Sequence, residues 1–248
     1  MIPRRLLHFG DILAMNAYLS PDKIGARDLT RALTFRAWND RSCKLANALV
    51  GLGLEKGDRV AVLAYNCLEW MEIYAAVAKA GLVVVPINFR LIGSEIRYIV
   101  ENSEAKAVIV QNDLLDRVET IRGERLIAED KYIHLGGRTP TGYRSYEDLI
   151  ALGAQSEPSN ETGSDDTYAL LYTSGTTGKP KGAIRTNGSL VLLAYLVHVD
   201  WGFSRNDLGL LVMPMCHANS LYFTYVFAAC GAASCVYDRK SFSNRITC

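Results

Sequence analysis

A short segment rich in glycine, hydroxyl and lysine side chains carries the strongest chemical signal in the sequence. Residues 172–182 have the sequence Tyr-Thr-Ser-Gly-Thr-Thr-Gly-Lys-Pro-Lys-Gly and continue an apolar run that begins at Tyr168. Glycines let a backbone approach a ligand closely, hydroxyls donate hydrogen bonds to phosphate oxygens, and lysines offset negative charge. Each hydrogen bond to a charged group contributes about 1.5–3 kcal/mol, so the segment indicates a loop that binds a polyphosphate.

The spacing of this segment does not fit the phosphate loop of P-loop NTPases, whose pattern is G-x-x-x-x-G-K-[ST]. Gly175 and Gly178 are three residues apart, and Lys179 is followed by Pro180 instead of Ser or Thr. Proline also disfavours helical geometry in the residue before it, whereas a P-loop lysine lies at the start of a helix. A P-loop kinase or NTPase is therefore disfavoured. A surface linker is disfavoured too, because a linker has no reason to combine an apolar strand with so many donors.

The elements that must position the loop alternate between amphipathic helices and short apolar strands. Helical patterns lie at about 35–52, 68–80 and 94–101, and strand patterns lie at 59–64, 83–85, 107–110 and 168–172. Alternation of this kind is typical of a largely parallel sheet that is covered by helices. The predicted fold class is therefore α/β, with layered helices around largely parallel sheets.

The segment from Gly136 to Ser164 is rich in Gly, Ser, Thr, Pro and Asn, and only residues 146–152 within it have a helical pattern. This composition is typical of a domain boundary or an exposed connection. We therefore expect residues 1–164 to form an N-terminal α/β subdomain. Residues 165–248 would begin a second, incomplete α/β subdomain that carries the loop.

Composition and charge disfavour several classes of function. The chain has 248 residues and a net charge of +1, which gives no field that would attract nucleic acid. Its six cysteines include no C-x-x-C pair, which disfavours metal and disulfide frameworks and favours a cytoplasmic protein. Residues 208–237 contain no Asp, Glu, Lys or Arg, but Pro214 and Gly231 help to divide them into a strand, a polar turn, a buried helix and another strand. We therefore expect no transmembrane segment and no nucleic-acid partner.

The loop resembles the signature of the AMP-dependent, adenylate-forming enzymes, which include acyl-CoA and aryl-CoA synthetases, peptide-synthetase adenylation domains and luciferases. Residues 45–63, 80–91 and 213–219 also resemble motifs of that family, so the resemblance extends from about residue 30 to about residue 240. It implies an acid–thiol ligase that activates a fatty or aromatic carboxylic acid with ATP. The acyl group of the resulting acyl-adenylate would pass to coenzyme A, and Mg²⁺ would accompany the nucleotide.

The same resemblance implies roles for the residues of the loop. The ATP phosphates would be held by Thr173, Ser174, Gly175, Thr176, Thr177, Gly178, Lys179 and Lys181. Thr176 and Lys181 would be catalytic because the reaction brings two anions together and depends on positioning and charge stabilisation. Thr173 is the candidate Mg²⁺ ligand, since Mg²⁺ bound to phosphates keeps few protein ligands.

His217 follows Pro-Met-Cys at the position where the family has a histidine beside the acyl pocket. Without the resemblance, His217 would be interpreted as a histidine in a turn, with its hydrogen bonds made to the backbone. By resemblance it is a catalytic residue and part of the wall of the carboxylate site, and Ala218, Asn219 and Ser220 would border the same pocket. Residues 221–223 would either line the pocket or belong to a helix core.

Two departures from the family pattern restrict these implications. Asn187 stands where members commonly have a histidine. The chain ends at Cys248, before the family motifs that bind adenine and ribose, supply an acidic Mg²⁺ ligand and deliver a C-terminal lysine. We therefore expect the chain to be the N-terminal part of a ligase, inactive by itself and with exposed apolar surface. Two alternatives stay open: a non-catalytic truncated fragment, and the adenylation domain of another adenylate-forming enzyme.

Overall fold

Helices and strands alternate through most of the chain. The structure is a computed structural model that describes residues 8–159, 161–173 and 179–237. Its helices are α1 (Phe9–Leu19), α2 (Phe35–Gly51), α3 (Glu69–Lys79), α4 (Gly93–Asn102), α5 (Leu115–Arg122), α6 (Tyr146–Leu152), α7 (Asn187–Trp201) and α8 (Ala218–Ala229). Its strands are β1 (Ile24–Arg27), β2 (Ala32–Thr34), β3 (Arg59–Leu63), β4 (Val83–Pro86), β5 (Ala105–Gln111), β6 (Tyr132–Leu135), β7 (Arg144–Ser145), β8 (Thr167–Thr173), β9 (Lys181–Thr186), β10 (Leu208–Leu211) and β11 (Ala233–Val236).

The larger sheet of the described residues has seven strands in the order β7-β6-β5-β3-β4-β8-β9. Every neighbouring pair is parallel except β8 and β9, which form an antiparallel hairpin. Parallel strands are covered on both faces by their crossover helices, which is why β3, β4 and β5 are almost continuously apolar. The predicted α/β fold, with helices around a largely parallel sheet, is confirmed.

Alternate residues of the central strand β3 face two separate parts of the core. Val62 packs in the cluster that contains Trp38 of α2, whereas Ala61 packs in the cluster that contains Ile99 of α4. All four side chains are buried. Full burial of a side chain such as Val or Ile contributes about 1.5–3 kcal/mol, so burial on both faces holds the strand ends in fixed positions.

The smaller sheet joins early and late parts of the described chain. Its four strands have the order β10-β11-β1-β2. β1 is parallel to β11, with Ala26 opposite Ser234, and antiparallel to β2. Each sheet therefore combines strands from both sides of residue 164. The subdomain boundary expected at that residue stays a prediction.

The connection between α6 and β8 is attached to the helices beneath it. The helix predicted at residues 146–152 is confirmed as α6. Beyond it, Nδ2 of Asn47 donates hydrogen bonds to the carbonyl oxygens of Ala154 and Ser156, at 2.7 and 2.8 Å. The carboxylate of Glu157 lies 2.6 Å from the ammonium group of Lys79, whose side chain is only 1% exposed. The ion pair with the buried Lys79 and the two hydrogen bonds from the Asn47 amide thus hold this connection in place.

The uncharged stretch 208–237 has the predicted order of strand, turn, helix and strand, formed by β10, α8 and β11. Within the described ranges, no helix has the length and apolar character that crossing a membrane would require. Helix α8 is mostly buried, but β10 turns one face outward. Leu208 and Leu210 are 57% and 58% exposed, whereas the alternate residues Gly209 and Leu211 are buried.

Glu157→Gln should destabilise the fold because it leaves the buried Lys79 ammonium without its carboxylate. Burial alone would raise the pKa of Glu157, but the charge and hydrogen bond of Lys79 outweigh it and hold this pKa below its ordinary value. Such a carboxyl stabilises the fold above its unfolded pKa, and the contribution is lost as pH falls through the folded pKa. We expect urea unfolding to show that the free energy of unfolding of the variant is lower than that of the parent at neutral pH, and that this difference shrinks in acid. A difference that is unchanged in acid would contradict the ion pair.

The outward face of β10 should make the purified chain bind a hydrophobic dye such as anilinonaphthalene sulfonate, because contiguous exposed apolar side chains form a binding patch. The double change Leu208→Ser and Leu210→Ser should reduce the dye fluorescence. Leu152→Ser is the matched control, since Leu152 is 84% exposed at the end of α6. Equal dye fluorescence from the double variant and the control would contradict a patch on β10.

Candidate functional site

The loop predicted to bind a polyphosphate connects the two strands of the β8–β9 hairpin. Thr173 at the end of β8 is opposite Lys181 at the start of β9. Both residues are exposed, and so is Lys179. The other predicted loop residues lie outside the described residues: Ser174, Gly175, Thr176, Thr177 and Gly178. The structure therefore places one hydroxyl and two lysines around the base of the loop.

The base of the hairpin lies at the carboxyl-terminal edge of the larger sheet. β8 is parallel to β4, with Ala169 opposite Val84, so both strands end at the same edge. Ligands of open α/β sheets bind in crevices outside the carboxyl ends of the strands. The position of Thr173 at the end of β8 thus agrees with the general location of ligand sites in such folds.

Helix α4 contacts both arms of the hairpin. The hydroxyl of Tyr98 donates a hydrogen bond to the carbonyl oxygen of Pro180 at 3.2 Å. Nζ of Lys179 lies 5.7 Å from the centre of the Tyr98 ring, within the range of a cation–π attraction. On the other arm, the hydroxyl of Tyr172 donates to Oδ1 of Asn102 at 2.8 Å. Sequence analysis did not identify Tyr98, because it meets Pro180 from 82 residues away.

His217 is the residue that precedes α8, at the end of the turn after β10. Its N–H donates to the carbonyl oxygen of Pro214 at 2.9 Å, and its own carbonyl accepts from the N–H of Leu221 at 3.2 Å. Its side chain forms no capping hydrogen bond with α8, and the residue is exposed. The backbone of His217 is therefore fixed, while its imidazole ring is accessible.

A cavity of about 180 Å³ lies between the start of α8 and the end of β10. Asn219, Ser220 and Phe223 line one side, and residues 210–213 line the other with mostly apolar side chains. The Ser220 hydroxyl donates to the carbonyl oxygen of Met213 at 2.9 Å, so it is engaged inside the protein. Leu221 is fully buried and belongs to the core. Of the residues expected to border or line a pocket, the cavity thus brings together Asn219, Ser220 and Phe223.

Arg185 connects the hairpin to the helix that follows His217. Nε of Arg185, on β9, donates a hydrogen bond to the hydroxyl of Tyr222, on α8, at 2.7 Å. Tyr222 lies one helical turn after Ala218, which is half-buried at the start of α8. The two predicted sites are therefore joined by a direct side-chain contact. Sequence analysis missed Arg185, since nothing in its neighbourhood indicates a partner on another element.

Two further side chains near these sites have structural surroundings: that of Asn187 is hydrogen-bonded to the backbone, and that of Cys216 is buried. Asn187, at the position where the resemblance leads one to expect a histidine, donates from Nδ2 to the carbonyl oxygens of Gly163 and Asp166, at 3.3 and 3.4 Å. Its amide thus attaches α7 to the segment before β8. Burial raises the pKa of the Cys216 thiol to about 11, so this neighbour of His217 stays protonated near neutral pH.

The described part of the chain contains no group of three or more His, Cys, Asp or Glu side chains that could hold a metal ion. A Mg²⁺ ion bound mainly through phosphate oxygens and water needs few protein ligands. Thr173 is exposed at the carboxyl edge of the sheet, and its role as a Mg²⁺ ligand stays a prediction.

Known proteins share both the sequence pattern and the fold of this chain. A family model described as AMP-binding enzyme matches residues 13–247. A long-chain-fatty-acid–CoA ligase of Thermus thermophilus is 35% identical over 201 residues, which cover 80% of this chain and 36% of that protein. A feruloyl-CoA synthase of an Amycolatopsis species is 33% identical over 205 residues, which cover 83% of this chain and 38% of that protein.

A solved structure extends the similarity to the arrangement of the elements. The crystal structure of an anthranilate CoA ligase in complex with anthranoyl-AMP has a TM-score of 0.88 and 26% sequence identity, covering 96% of this chain and 46% of that chain. The chain spans less than two fifths of the length of the two curated relatives. The family match over residues 13–247, together with this sequence and fold similarity, shows that the chain belongs to the AMP-binding enzyme family.

Proposed function

We propose that the whole protein to which this chain belongs is an AMP-forming acid–thiol ligase, which activates a carboxylic acid with ATP and transfers the acyl group to coenzyme A. The observation that carries the proposal is the hairpin with Thr173, Lys179 and Lys181 around the base of its loop, in a chain of the AMP-binding enzyme family. The CoA ligases among its relatives support coenzyme A as the acceptor.

The proposed reaction has two displacement steps. A carboxylate oxygen attacks the α-phosphorus of ATP, the bond to the bridging oxygen breaks, and pyrophosphate leaves with an acyl-adenylate as the other product. The thiolate sulfur of coenzyme A then attacks the acyl carbon, and AMP leaves with the former carboxylate oxygen. Because two anions meet in the first step, the protein contributes chiefly positioning and charge stabilisation.

The residues at the base of the loop fit a polyphosphate by their chemistry. The ammonium groups of Lys179 and Lys181 would offset phosphate charge, and the bond from Tyr98 to Pro180 orients the arm that carries them. Mg²⁺, when bound, would neutralise charge on the phosphates, with the exposed hydroxyl of Thr173 as its proposed protein ligand. In this proposal Thr176 and the loop glycines supply further hydrogen-bond donors from hydroxyl and backbone groups.

The cavity beside α8 is the proposed acyl pocket. Its mostly apolar wall suits a hydrocarbon chain or an aromatic ring, with Asn219 and Ser220 as polar members. His217 and Ala218 would lie at the carboxylate end of the pocket, next to the start of α8. The relatives named for long-chain fatty acids and for feruloyl-CoA support a fatty or aromatic acid as the substrate class.

Two alternatives predict different products. A non-catalytic chain would give no acid-dependent exchange of pyrophosphate into ATP. An adenylation domain with another acceptor would catalyse this exchange but would form no acyl-CoA. Exchange and acyl-CoA formation, measured with octanoate and benzoate as the acids, therefore separate the ligase from both alternatives.

In the whole protein, Lys181→Ala and Thr176→Ala should each slow acid-dependent pyrophosphate exchange by at least about tenfold. Each change removes a hydrogen bond to a charged phosphate, worth about 1.5–3 kcal/mol. Lys106→Ala is the matched control, because Lys106 is an exposed lysine near the start of β5, at the opposite edge of the sheet. If both loop variants exchanged pyrophosphate as fast as the parent, the assignment of the loop would be wrong.

Substitution of Tyr98 should raise the KM for ATP, because the side chain holds the return arm of the loop. Tyr98→Phe removes only the bond to Pro180 and should raise this KM about threefold. Tyr98→Leu also removes the ring beside Lys179 and should have a larger effect. Tyr18→Leu, on the exposed side of α1, is the control. A KM for ATP that is the same in Tyr98→Leu and the parent would exclude this role.

A further inference from the structure

The side-chain amide of Asn66 forms three hydrogen bonds at the junction of the two sheets. Its Nδ2 atom donates to the carbonyl oxygens of Met213 and Tyr237, at 3.0 and 3.1 Å. Its Oδ1 atom accepts from the N–H of Met215 at 2.7 Å. An asparagine amide has two N–H donors and one carbonyl oxygen, so each of its polar atoms is engaged.

These bonds join three segments that are distant in the sequence. Asn66 lies just beyond β3 of the larger sheet, whereas Tyr237 directly follows β11 of the smaller sheet. Met213 and Met215 flank Pro214 in the turn between β10 and α8. The amide of Asn66 therefore holds the carboxyl-terminal ends of two strands of the smaller sheet against the end of β3.

A second buried side chain fixes the same turn. The hydroxyl of Tyr74, which is fully buried on α3, donates to the carbonyl oxygen of Met215. The N–H and the carbonyl oxygen of Met215 are thus hydrogen-bonded to one side chain in the β3–α3 connection and one on α3. His217 lies two residues further along, so a displacement of this turn would move the start of α8 and the imidazole together.

We propose that Asn66 is a positioning residue of the acyl pocket, which acts by fixing the turn that carries His217 and the start of α8. This inference rests on the proposed function, because that function assigns the pocket to His217 and α8. Asn66 would not touch the acid itself. Its contribution would be to hold the backbone of Met213, which lines the cavity, and of Met215, which lies two residues before His217.

Asn66→Asp changes the bonding without changing the shape of the side chain. The carboxylate keeps an acceptor for the N–H of Met215. Its second oxygen, however, replaces the Nδ2 group that donates to two carbonyl oxygens, and this anionic oxygen repels them. The turn must then move away from residue 66. Asn47→Asp is a matched control, because the Asn47 amide also donates to two backbone carbonyls, those of Ala154 and Ser156, from α2.

The test compares the parent, Asn66→Asp and Asn47→Asp, each as the whole protein, in acid-dependent pyrophosphate exchange with octanoate and benzoate. We expect Asn66→Asp to raise the KM for the acid by at least about tenfold, since two hydrogen bonds are lost, and to change the KM for ATP less than about twofold. Asn47→Asp should leave both values near those of the parent. Backbone hydrogen exchange, measured by mass spectrometry, should accelerate over residues 213–221 in Asn66→Asp and not in Asn47→Asp.

Equal kinetic effects in the two aspartate variants, or equal changes in both KM values, would show a general structural role and overturn the inference. Unchanged hydrogen exchange over residues 213–221 would overturn it too. If the parent showed no acid-dependent exchange of pyrophosphate, the proposed function would fail and the pocket role with it, while hydrogen exchange would still decide whether Asn66 fixes the turn. Asn66→Ala permits the same comparisons if Asn66→Asp does not fold.

Discussion

The parallel pairing of β8 with β4 is the interaction on which the rest of the site depends. It places the end of β8 at the same edge as the ends of β3 and β4, with Ala169 opposite Val84. The antiparallel strand β9 then returns beside β8, so Thr173 and Lys181 face each other where the loop begins and ends. Burial of the central strands between two helix layers keeps this edge fixed, while Thr173, Lys179 and Lys181 are exposed outside the core.

Hydrogen bonds between buried groups connect this edge to the proposed acyl pocket. The hydroxyl of Tyr168, on β8, donates to the carbonyl oxygen of Tyr74 at 3.0 Å, and the hydroxyl of Tyr74 donates to the carbonyl oxygen of Met215. Burial raises the pKa of both phenols, so both stay protonated and can donate. Since a buried polar group without a partner costs about 1–3 kcal/mol, these bonds favour one arrangement of β8, α3 and the turn before His217.

Local patterns in the sequence were sufficient to locate several individual helices and strands. The predicted strand at 168–172, the predicted helix at 68–80 and the predicted helix at 146–152 correspond to β8, α3 and α6 within about two residues. Their apolar periodicity and their glycine or proline boundaries are properties of neighbouring residues. The chemistry of the loop was predictable for the same reason, because its donors are contiguous.

The contacts between elements could not be predicted in this way. Periodicity indicates which face of a strand is buried but not which strand it pairs with, so the pairing of β1 with β11 had no local signal. Asn66 and Met215 are 149 residues apart, and an asparagine after a strand is typical of many ordinary turns. The composition of residues 136–164 indicated an exposed connection, but not the ion pair between Lys79 and Glu157.

The fate of the carboxylate oxygen tests most directly the claim that the acid is activated as an acyl-adenylate and then transferred to coenzyme A. The purified whole protein would be incubated with ATP, coenzyme A and octanoate that carries a heavy oxygen isotope in its carboxyl group. Attack on the α-phosphorus followed by thiol displacement predicts that one labelled oxygen appears in the phosphate of AMP, with unlabelled pyrophosphate as the other product. Label in inorganic phosphate, or ATP cleavage that leaves all label in the acid, would contradict the account.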